Sequence, residues 1–108
     1  MQLEAFTIPD LKKITPARFG DNRGYFSEVF KRDWFRDNVA DVKFVQDNES
    51  LSAQAGTVRG LHFQTEPFAQ GKLVRCIRGR LLDVAVDIRT GSPTFGQWAA
   101  VELSPENG

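Results

Sequence analysis

The sequence predicts an all-β domain, an antiparallel sandwich or barrel with one short helix, from three observations. Apolar and polar residues alternate with a period of two along much of the chain, as they do on strands with one buried face. Turn signals rich in Gly, Asn, Asp and Pro interrupt this alternation at short spacings. Only one segment carries apolar residues at helical spacing. A single domain over residues 1–108 accommodates all of these elements.

The first half of the chain predicts a turn, a strand and the helix. The turn cluster GDNRG leads into a predicted strand at residues 25–30. Residues 31–39 predict the helix, because Trp34, Phe35 and Val39 can share one side of it.

The rest of the chain predicts five more strands. They cover residues 42–50, 57–64, 72–77, 80–88 and 95–103. Arg78 and Gly79 predict a tight hairpin between the third and the fourth of these strands, with Gly79 supplying the turn. The resulting sheet would end on an open edge and an uncovered apolar face, so we expect a partner or further residues to cover them.

Charge and cysteine content exclude several classes of function. Fourteen Lys and Arg side chains balance fourteen Asp and Glu side chains, so no net field attracts the chain to nucleic acid or to an anionic membrane. No stretch is apolar enough to span a bilayer, and the N-terminus lacks the apolar core of a secretory signal. The single cysteine, Cys76, lies in an apolar run that predicts a buried thiol. We expect a cytoplasmic protein that binds neither nucleic acid nor membrane.

The sequence carries no pattern for a metal or an organic cofactor. One His and one Cys cannot supply the usual ligands of a transition-metal site. The glycine-rich loops that bind phosphates or dinucleotides are absent, as is the Gly-x-Ser-x-Gly elbow of serine hydrolases. We therefore expect no metal, no redox cofactor and no nucleophilic serine.

The only histidine, His62, lies in the predicted strand RGLHFQ among groups that suit an anionic ligand. Because imidazole titrates near neutral pH, His62 is the natural candidate for a proton acceptor. The alternative is structural, since a strand histidine often bonds to a neighbouring carbonyl. The cationic side chains around it favour the catalytic interpretation.

Three cationic side chains could hold a negatively charged ligand near His62. Lys72 could stabilise negative charge on a substrate oxygen; the alternative is a solvated lysine at a strand end. Arg23 and Arg59 offer planar forks for diphosphate oxygens. Strict alternation puts Arg59 and His62 on opposite faces, so one pocket holds both only if a bulge at Gly60 interrupts the ladder.

Four other polar side chains are candidates for binding or support. Gln46 and Asn48 share one face of a predicted strand and could read a ligand base or sugar hydroxyls, or equally satisfy buried backbone groups. Glu28 is a candidate hydrogen-bond acceptor or an ordinary surface carboxylate. Asp83 could support the base or the lysine from the same sheet, or be purely structural.

Five sequence blocks follow one another along nearly the whole chain. They are FGDNRGYFSEVF, FVQDNES, TVRGLHFQ, AQGKLVRCIRGRLLDVAVDIR and GSPTFGQW. In their amino-acid sequences and in their spacing these blocks resemble the dTDP-4-dehydrorhamnose 3,5-epimerase family. Each block alone is weakly specific, whereas the five in this order are highly specific. The chain is thus similar to the N-terminal portion of such an epimerase.

This resemblance implies a cupin-type jelly roll, or double-stranded β-helix, that is antiparallel and incomplete at the C-terminus. It also implies a homodimer that exchanges N-terminal strands, with neither metal nor cofactor. The implied substrate is dTDP-4-dehydro-6-deoxy-D-glucose, a dTDP-4-keto-6-deoxyhexose. Its C4 ketone acidifies the hydrogens on C3 and C5, so that removal and return of a proton at each carbon gives dTDP-4-dehydro-L-rhamnose.

The same resemblance implies roles for individual residues. His62 matches the family's base, and Lys72 matches the group beside the C4 oxygen that stabilises the enolate. The implied substrate-binding positions are Arg23, Phe26, Glu28, Gln46, Asn48 and Arg59. Among them the two arginines match phosphate contacts, and Phe26 can lie against the ligand. Residues 23–28 would serve the site of the partner subunit.

The chain departs from the family in what it lacks. Relatives continue into strands that bring a second histidine, a tyrosine proton donor and an aspartate that orients the base. Tyr25, the only tyrosine, lies in a different block. We therefore expect full epimerisation by this chain alone to be impaired and the half-roll to be poorly stable. The alternative functions are a non-catalytic protein that binds nucleotide sugars and a deoxysugar epimerase acting at a single carbon.

Overall fold

Residues 1–108 are all described by the computed structural model, which contains three separate antiparallel hairpins and one helix. The elements in chain order are β1 Gln2–Ala5, β2 Lys12–Thr15, β3 Phe19–Asp21, β4 Gly24–Phe26, α1 Arg32–Asn38, β5 Leu81–Val86 and β6 Trp98–Leu103. Each sheet has two strands, β1 with β2, β3 with β4 and β5 with β6. The prediction of an antiparallel all-β chain with one short helix is confirmed.

The first hairpin, β1–β2, has strands of four residues each and is not predicted by the sequence pattern. Glu4 lies opposite Lys13, and the Lys13 Nζ is 2.7 Å from the Glu4 carboxylate. The Leu11 backbone N–H donates to the Ile8 carbonyl at 3.0 Å, which closes the turn. Ile8 is 5% exposed, so this turn holds one of the few buried apolar side chains.

The second hairpin, β3–β4, confirms the predicted turn cluster. Asp21 lies opposite Gly24 across a two-residue turn, and Gly24 has a φ of +139°, a value that favours glycine. The predicted strand covers residues 25–30, whereas β4 ends at Phe26. The prediction is therefore too long by four residues at its C-terminal end. The Ser27 hydroxyl donates to the Ala17 carbonyl at 2.8 Å just beyond Phe26.

Helix α1 confirms the helix predicted at residues 31–39. Its apolar side packs in an aromatic cluster, in which the ring centroid of Phe35 lies 5.7 Å from that of Phe30 and 5.4 Å from that of Phe44. Tilted and edge-on pairs of this kind are the arrangements that aromatic rings prefer. Phe35 is buried, so this cluster anchors the helix. No helix in the chain has the length and apolar character needed to cross a membrane.

The hairpin predicted between residues 72–77 and 80–88 is wrong. Strand β5 pairs instead with β6, in register over all six residues of each strand. Gly79 does turn the chain, with a φ of +76°, but a turn residue alone cannot select a partner whose side chains match across the ladder. The strands predicted at residues 80–88 and 95–103 are confirmed in part, as β5 and β6.

Residues 42–50, 57–64 and 72–77 alternate in polarity but belong to no strand. The prediction of paired strands in these segments is wrong. Alternation reports which face of an extended segment is apolar, whereas a ladder also needs a neighbour whose backbone groups face it. None of these three segments pairs with a neighbouring strand, and nearly all of their residues are exposed.

The Asp87 carboxylate organises the loop between β5 and β6. It accepts hydrogen bonds from the backbone N–H, Nε and Nη2 of Arg89, each at 3.0 Å. The hydroxyls of Ser92 and Thr94 each donate to Oδ2 at 2.6 Å. These donors, Arg89 foremost, hold the pKa of Asp87 far below its usual range. Arg89 also donates to Asp10 at 2.6 Å, which ties this Asp87 cluster to the turn of the first hairpin.

Very little of the chain is removed from water. The buried residues are Ile8, Phe35, Cys76, Asp87 and Ser104. Large apolar side chains are exposed instead, among them Val58 at 89%, Phe26 at 71% and Trp98 at 65%. A folded domain of this size normally buries well over half of the surface of its unfolded chain. The open apolar face expected from the sequence is therefore present, and the predicted buried thiol is confirmed at Cys76.

The purified chain is expected to bind the dye ANS strongly and to unfold over a broad temperature range, because its apolar faces are open. Dye fluorescence and scanning calorimetry measure the two properties. A sharp cooperative transition with an unfolding enthalpy of about 0.7 kcal/mol per residue, together with weak dye binding, would contradict this expectation.

Asp87→Asn is expected to loosen the loop between β5 and β6, because a neutral amide accepts the Arg89 hydrogen bonds poorly. The pKa of Asp87 is lowered in the folded state. The ionised Asp87 carboxylate therefore stabilises the folded state at any pH above the unfolded-state pKa of about 3.9. This stabilisation is lost as the pH falls toward the pKa of Asp87 in the folded state.

Hydrogen exchange at the Arg89 and Gly96 amides, corrected for intrinsic rates, measures this loosening and should accelerate roughly tenfold in the variant at neutral pH. Glu66→Gln, at an exposed carboxylate with no partner, is the matched control. Equal exchange in Asp87→Asn and the control would show that the carboxylate does not hold the loop.

Candidate functional site

The segment that carries the candidate base is extended, unpaired and open to solvent. His62 is exposed and bonds to no neighbouring carbonyl, so the structural alternative for this residue is not observed. Gly60 has a φ of +102°. A Cβ at Gly60 would lie 3.2 Å from the His62 backbone nitrogen and 3.4 Å from its Nδ1, so a side chain at this position would crowd the backbone of His62 and touch its imidazole.

The predicted bulge at Gly60 is wrong as a feature of a paired ladder, because no ladder exists between Arg59 and His62. The positive φ of Gly60 nevertheless interrupts the regular alternation of the segment. Side-chain direction on either side of Gly60 is therefore not set by strand geometry.

The Arg59 guanidinium is held by the loop that precedes it. Its Nε donates to the Ser52 Oγ at 3.0 Å, and its Nη2 donates to the Leu51 carbonyl at 3.0 Å. Nε and Nη2 form one edge of the guanidinium plane, and the edge formed by the two terminal nitrogens faces no acceptor of the chain. Sequence reasoning identifies Arg59 but not its two partners, because an eight-residue contact across a loop has no local signal.

The Arg23 guanidinium is held in a similar way by Asp21. Its Nε and Nη2 donate to the Asp21 Oδ2 at 3.1 and 2.6 Å, and its backbone N–H donates to Oδ1 at 2.8 Å. The side-chain hydrogen bond to Arg23 is the main cause that lowers the pKa of Asp21. The backbone contact over two residues is an Asx turn, which the letters DNR already suggest. Arg23 stays exposed, at 84% of its side-chain surface.

The two candidate amides contact each other. The Gln46 Nε2 donates to the Asn48 Oδ1 at 3.1 Å, and both side chains are exposed. Their predicted position on one face agrees with this contact. Neither amide bonds to the backbone of the chain, so the alternative in which they satisfy buried backbone groups is not observed.

The remaining candidates form no hydrogen bond and no ion pair with one another. Lys72, Glu28 and Phe26 are exposed, and neither Lys72 nor Glu28 forms an ion pair within the chain. Asp83 is partly exposed on β5 opposite Val101 and bonds to neither the candidate base nor the lysine. No group of three His, Cys, Asp or Glu side chains lies close enough together to hold a metal ion. Among the candidate residues, only Gln46 and Asn48 thus contact each other through a hydrogen bond.

Two cavities have linings that include none of the candidate residues. One of about 210 Å³ is lined by Arg18, Tyr25 and nine other residues. The Arg18 guanidinium lies 4.6 Å from the centroid of the Tyr25 ring and donates to two carbonyls near residue 106. The other, of about 370 Å³, borders the Asp87 cluster. Neither cavity contains a residue that the sequence singles out for chemistry.

A family model described as dTDP-4-dehydrorhamnose 3,5-epimerase matches residues 5–108. The chain belongs to this epimerase family. A relative of that name from Sinorhizobium fredii is 69% identical over 108 residues, which make up 100% of this chain and 55% of the relative. Another from Shigella flexneri is 56% identical over 101 residues, which make up 93% of this chain and 55% of the relative. The chain therefore spans about half the length of the curated relatives it matches.

Solved structures of epimerases match the chain closely. The dTDP-4-dehydrorhamnose 3,5-epimerase from Bacillus anthracis, with TDP and PPi bound, has a TM-score of 0.94 and 44% identity over 98% of this chain and 61% of that one. The Legionella pneumophila 3,5-epimerase, in complex with dTDP-4-keto-L-rhamnose, has a TM-score of 0.91 and 48% identity. The match covers 98% of this chain and 56% of the Legionella chain. The resemblance in sequence and the predicted cupin-type jelly roll, of which this chain forms part, are both confirmed.

Gly60→Ala is expected to shift His62 and its imidazole, because the new Cβ would crowd the His62 backbone nitrogen at 3.2 Å and touch Nδ1 at 3.4 Å, at a strained φ. The NMR signals of the ring, assignable at once because the chain has one histidine, measure the displacement. Gly56→Ala is the matched control, since Gly56 has a φ of +79° but no atom near its Cβ position. Both variants should lose about 1–3 kcal/mol of local stability. Unchanged imidazole signals in Gly60→Ala would rule out the contact.

Proposed function

We propose that this chain supplies the base and the substrate-binding cations of a nucleotide-sugar epimerase. The reaction converts dTDP-4-dehydro-6-deoxy-D-glucose to dTDP-4-dehydro-L-rhamnose by inversion at C3 and C5. Membership of the epimerase family over residues 5–108 is the observation that carries this proposal. The ligands of two similar structures, TDP with PPi and dTDP-4-keto-L-rhamnose, support the substrate class.

The proposed chemistry begins at the C4 ketone. A carbonyl group acidifies the hydrogens on adjacent carbons, because the electron pair left by the departing proton is delocalised onto the carbonyl oxygen as an enolate. His62 takes the proton as general base, a role for which the imidazole side chain is well suited. Return of a proton to the opposite face of the same carbon inverts its configuration. The exposed position of His62 supports this role, since the ring is free to meet a ligand.

Lys72 stabilises the enolate oxygen in this proposal. An ammonium group placed beside C4 attracts the negative charge as it develops, so it lowers the barrier more than it strengthens binding of the neutral ketone. The lack of an acidic partner for Lys72 within the chain supports the assignment, because its charge is not already compensated.

The diphosphate is assigned to the guanidinium groups of Arg23 and Arg59, whose open edges match phosphate oxygens. The paired amides of Gln46 and Asn48 can read the base or the sugar hydroxyls. Phe26 would lie against a flat part of the ligand. Glu28 is assigned to substrate hydroxyls, and Asp83 to indirect support of the site.

We further propose a homodimer in which N-terminal strands are exchanged, so that residues 23–28 serve the partner's site. The exposure of Phe19, Tyr25 and Phe26 on the second hairpin supports this proposal, because apolar side chains at 60–71% exposure favour a covering surface. A cytoplasmic location fits the free thiol of Cys76.

A second candidate function is binding of the nucleotide sugar without turnover. It is favoured by one observation: Tyr25 is the only tyrosine, and its ring lies under Arg18 in the first cavity rather than beside the candidate base. A chain without a proton donor could hold the ligand and release it unchanged.

Solvent exchange distinguishes these functions. Incubation with dTDP-4-keto-6-deoxyglucose in heavy water should place deuterium at C3 and C5, as measured by NMR of the sugar. His62→Asn should slow incorporation by roughly 10²–10⁴-fold, the usual effect of removing a general base. Label at one carbon would indicate a single-carbon epimerase, and binding without label would indicate a binding protein. Exchange by His62→Asn at the unmodified rate would refute the assignment of the base.

Lys72→Ala is expected to lower the exchange rate at saturating substrate by roughly 10²–10³-fold, because the enolate oxygen loses its stabilising charge. The dissociation constant for the ketone substrate should change much less. Lys43→Ala, at an exposed lysine outside the candidate set, serves as the control. A variant that loses affinity but exchanges normally when saturated would assign Lys72 to ground-state binding.

A further inference from the structure

The two arginines assigned to the diphosphate share one arrangement. Each uses its Nε and Nη2 to bond to its own chain, Arg23 to Asp21 and Arg59 to Ser52 and Leu51. Nε and Nη2 lie on the same side of the guanidinium plane. The opposite edge, formed by Nη1 and the second N–H of Nη2, bonds to no other residue and can grip two phosphate oxygens.

The partners of the two arginines differ in charge. Asp21 is a carboxylate, so it compensates the charge of Arg23 at a separation of 2.6 Å. The partners of Arg59 are the Ser52 hydroxyl and the Leu51 carbonyl, which are neutral. The positive charge of Arg59 is therefore not compensated within the chain and is available to an anionic ligand. The plane of its guanidinium group is still fixed by two hydrogen bonds.

Fixing the plane matters because an exposed arginine has many rotamers. A side chain that is mobile before binding loses that freedom when it grips a ligand, and the loss weakens binding. Two hydrogen bonds made in advance reduce the loss. The Leu51 carbonyl belongs to the backbone and is present whatever the side chain, so Ser52 is the one partner of Arg59 that a change of residue can remove.

We propose that Ser52 is a positioning residue for diphosphate binding, which holds the Arg59 guanidinium so that its terminal edge faces the ligand. This inference rests on the proposed function, because it requires that Arg59 bind the diphosphate. Ser52 itself need not touch the ligand.

Calorimetric titration with dTDP tests the inference through a double-mutant cycle. Ser52→Ala should weaken dTDP binding roughly tenfold, since a hydrogen bond to a charged group is lost. Ser52→Thr keeps the hydroxyl and should bind almost as tightly as the unmodified chain. In an Arg59→Ala background, Ser52→Ala should have no further effect.

Thr57→Ala is the matched control for damage to the loop. The Thr57 hydroxyl donates to the Gln54 carbonyl at 2.7 Å, in the same loop but without contact to Arg59. Its removal should leave dTDP affinity within about twofold of the unmodified chain. A loss in Thr57→Ala equal to that in Ser52→Ala would assign Ser52 a general structural role and overturn the inference.

The outcomes for the two proposals are separable. If Arg59→Ala weakens dTDP binding but Ser52→Ala does not, the positioning role is wrong and the proposed function stands. Equal losses from Ser52→Ala with and without Arg59 would also overturn the positioning role. If the unmodified chain and Arg59→Ala bind dTDP equally well or equally poorly, Arg59 does not hold the diphosphate, and the proposed function fails at that residue.

Discussion

Burial of apolar surface is the constraint on which the rest of this structure depends. The three hairpins satisfy their backbone hydrogen bonds within pairs of strands, yet no sheet is stacked on another to remove its apolar face from water. The chain has 30 backbone hydrogen bonds over 108 residues, fewer than half of what a complete globular domain of this size contains. The hydrophobic driving force that normally stabilises a jelly roll is therefore largely unused by the surfaces described here.

Much of the order in the chain comes from local contacts. The Asp87 cluster gathers Arg89, Ser92 and Thr94 within seven residues and reaches Asp10 through a single ion pair. The aromatic cluster joins α1 to the segments on either side of it. Contacts of this kind close short loops at small entropic cost. They fix turns and helix ends, whereas single side-chain contacts, Arg89 with Asp10 and Arg18 with the Glu106 carbonyl, join segments that are distant in the sequence.

The candidate site follows from this mode of folding. Its side chains are arranged in local units: Gly60 with His62, Arg59 with Ser52, and Gln46 with Asn48. Each unit is formed within the chain, whereas the distances between units are not set by a common sheet. The candidate base and the candidate cations are thus positioned individually, and a pocket that surrounded a ligand would require surfaces that cover the open apolar faces. The chain's span of about half the length of its relatives agrees with this arrangement.

The sequence by itself determined the secondary-structure class, the single helix, the turn before β4 and the family, because these depend on local periodicity, turn chemistry and ordered motifs. It also singled out His62, Lys72 and the two arginines as residue types suited to an anionic ketone ligand. Tertiary structure alone decided that β5 pairs with β6 and that residues 42–50, 57–64 and 72–77 stay unpaired. Alternation marks a face but not a neighbour, since pairing depends on which strands lie close enough to exchange hydrogen bonds. The contacts of Arg59 with Ser52 and Leu51 could not be predicted from the sequence for the same reason. They join positions on either side of a loop, and no local sequence pattern indicates that these positions lie close together.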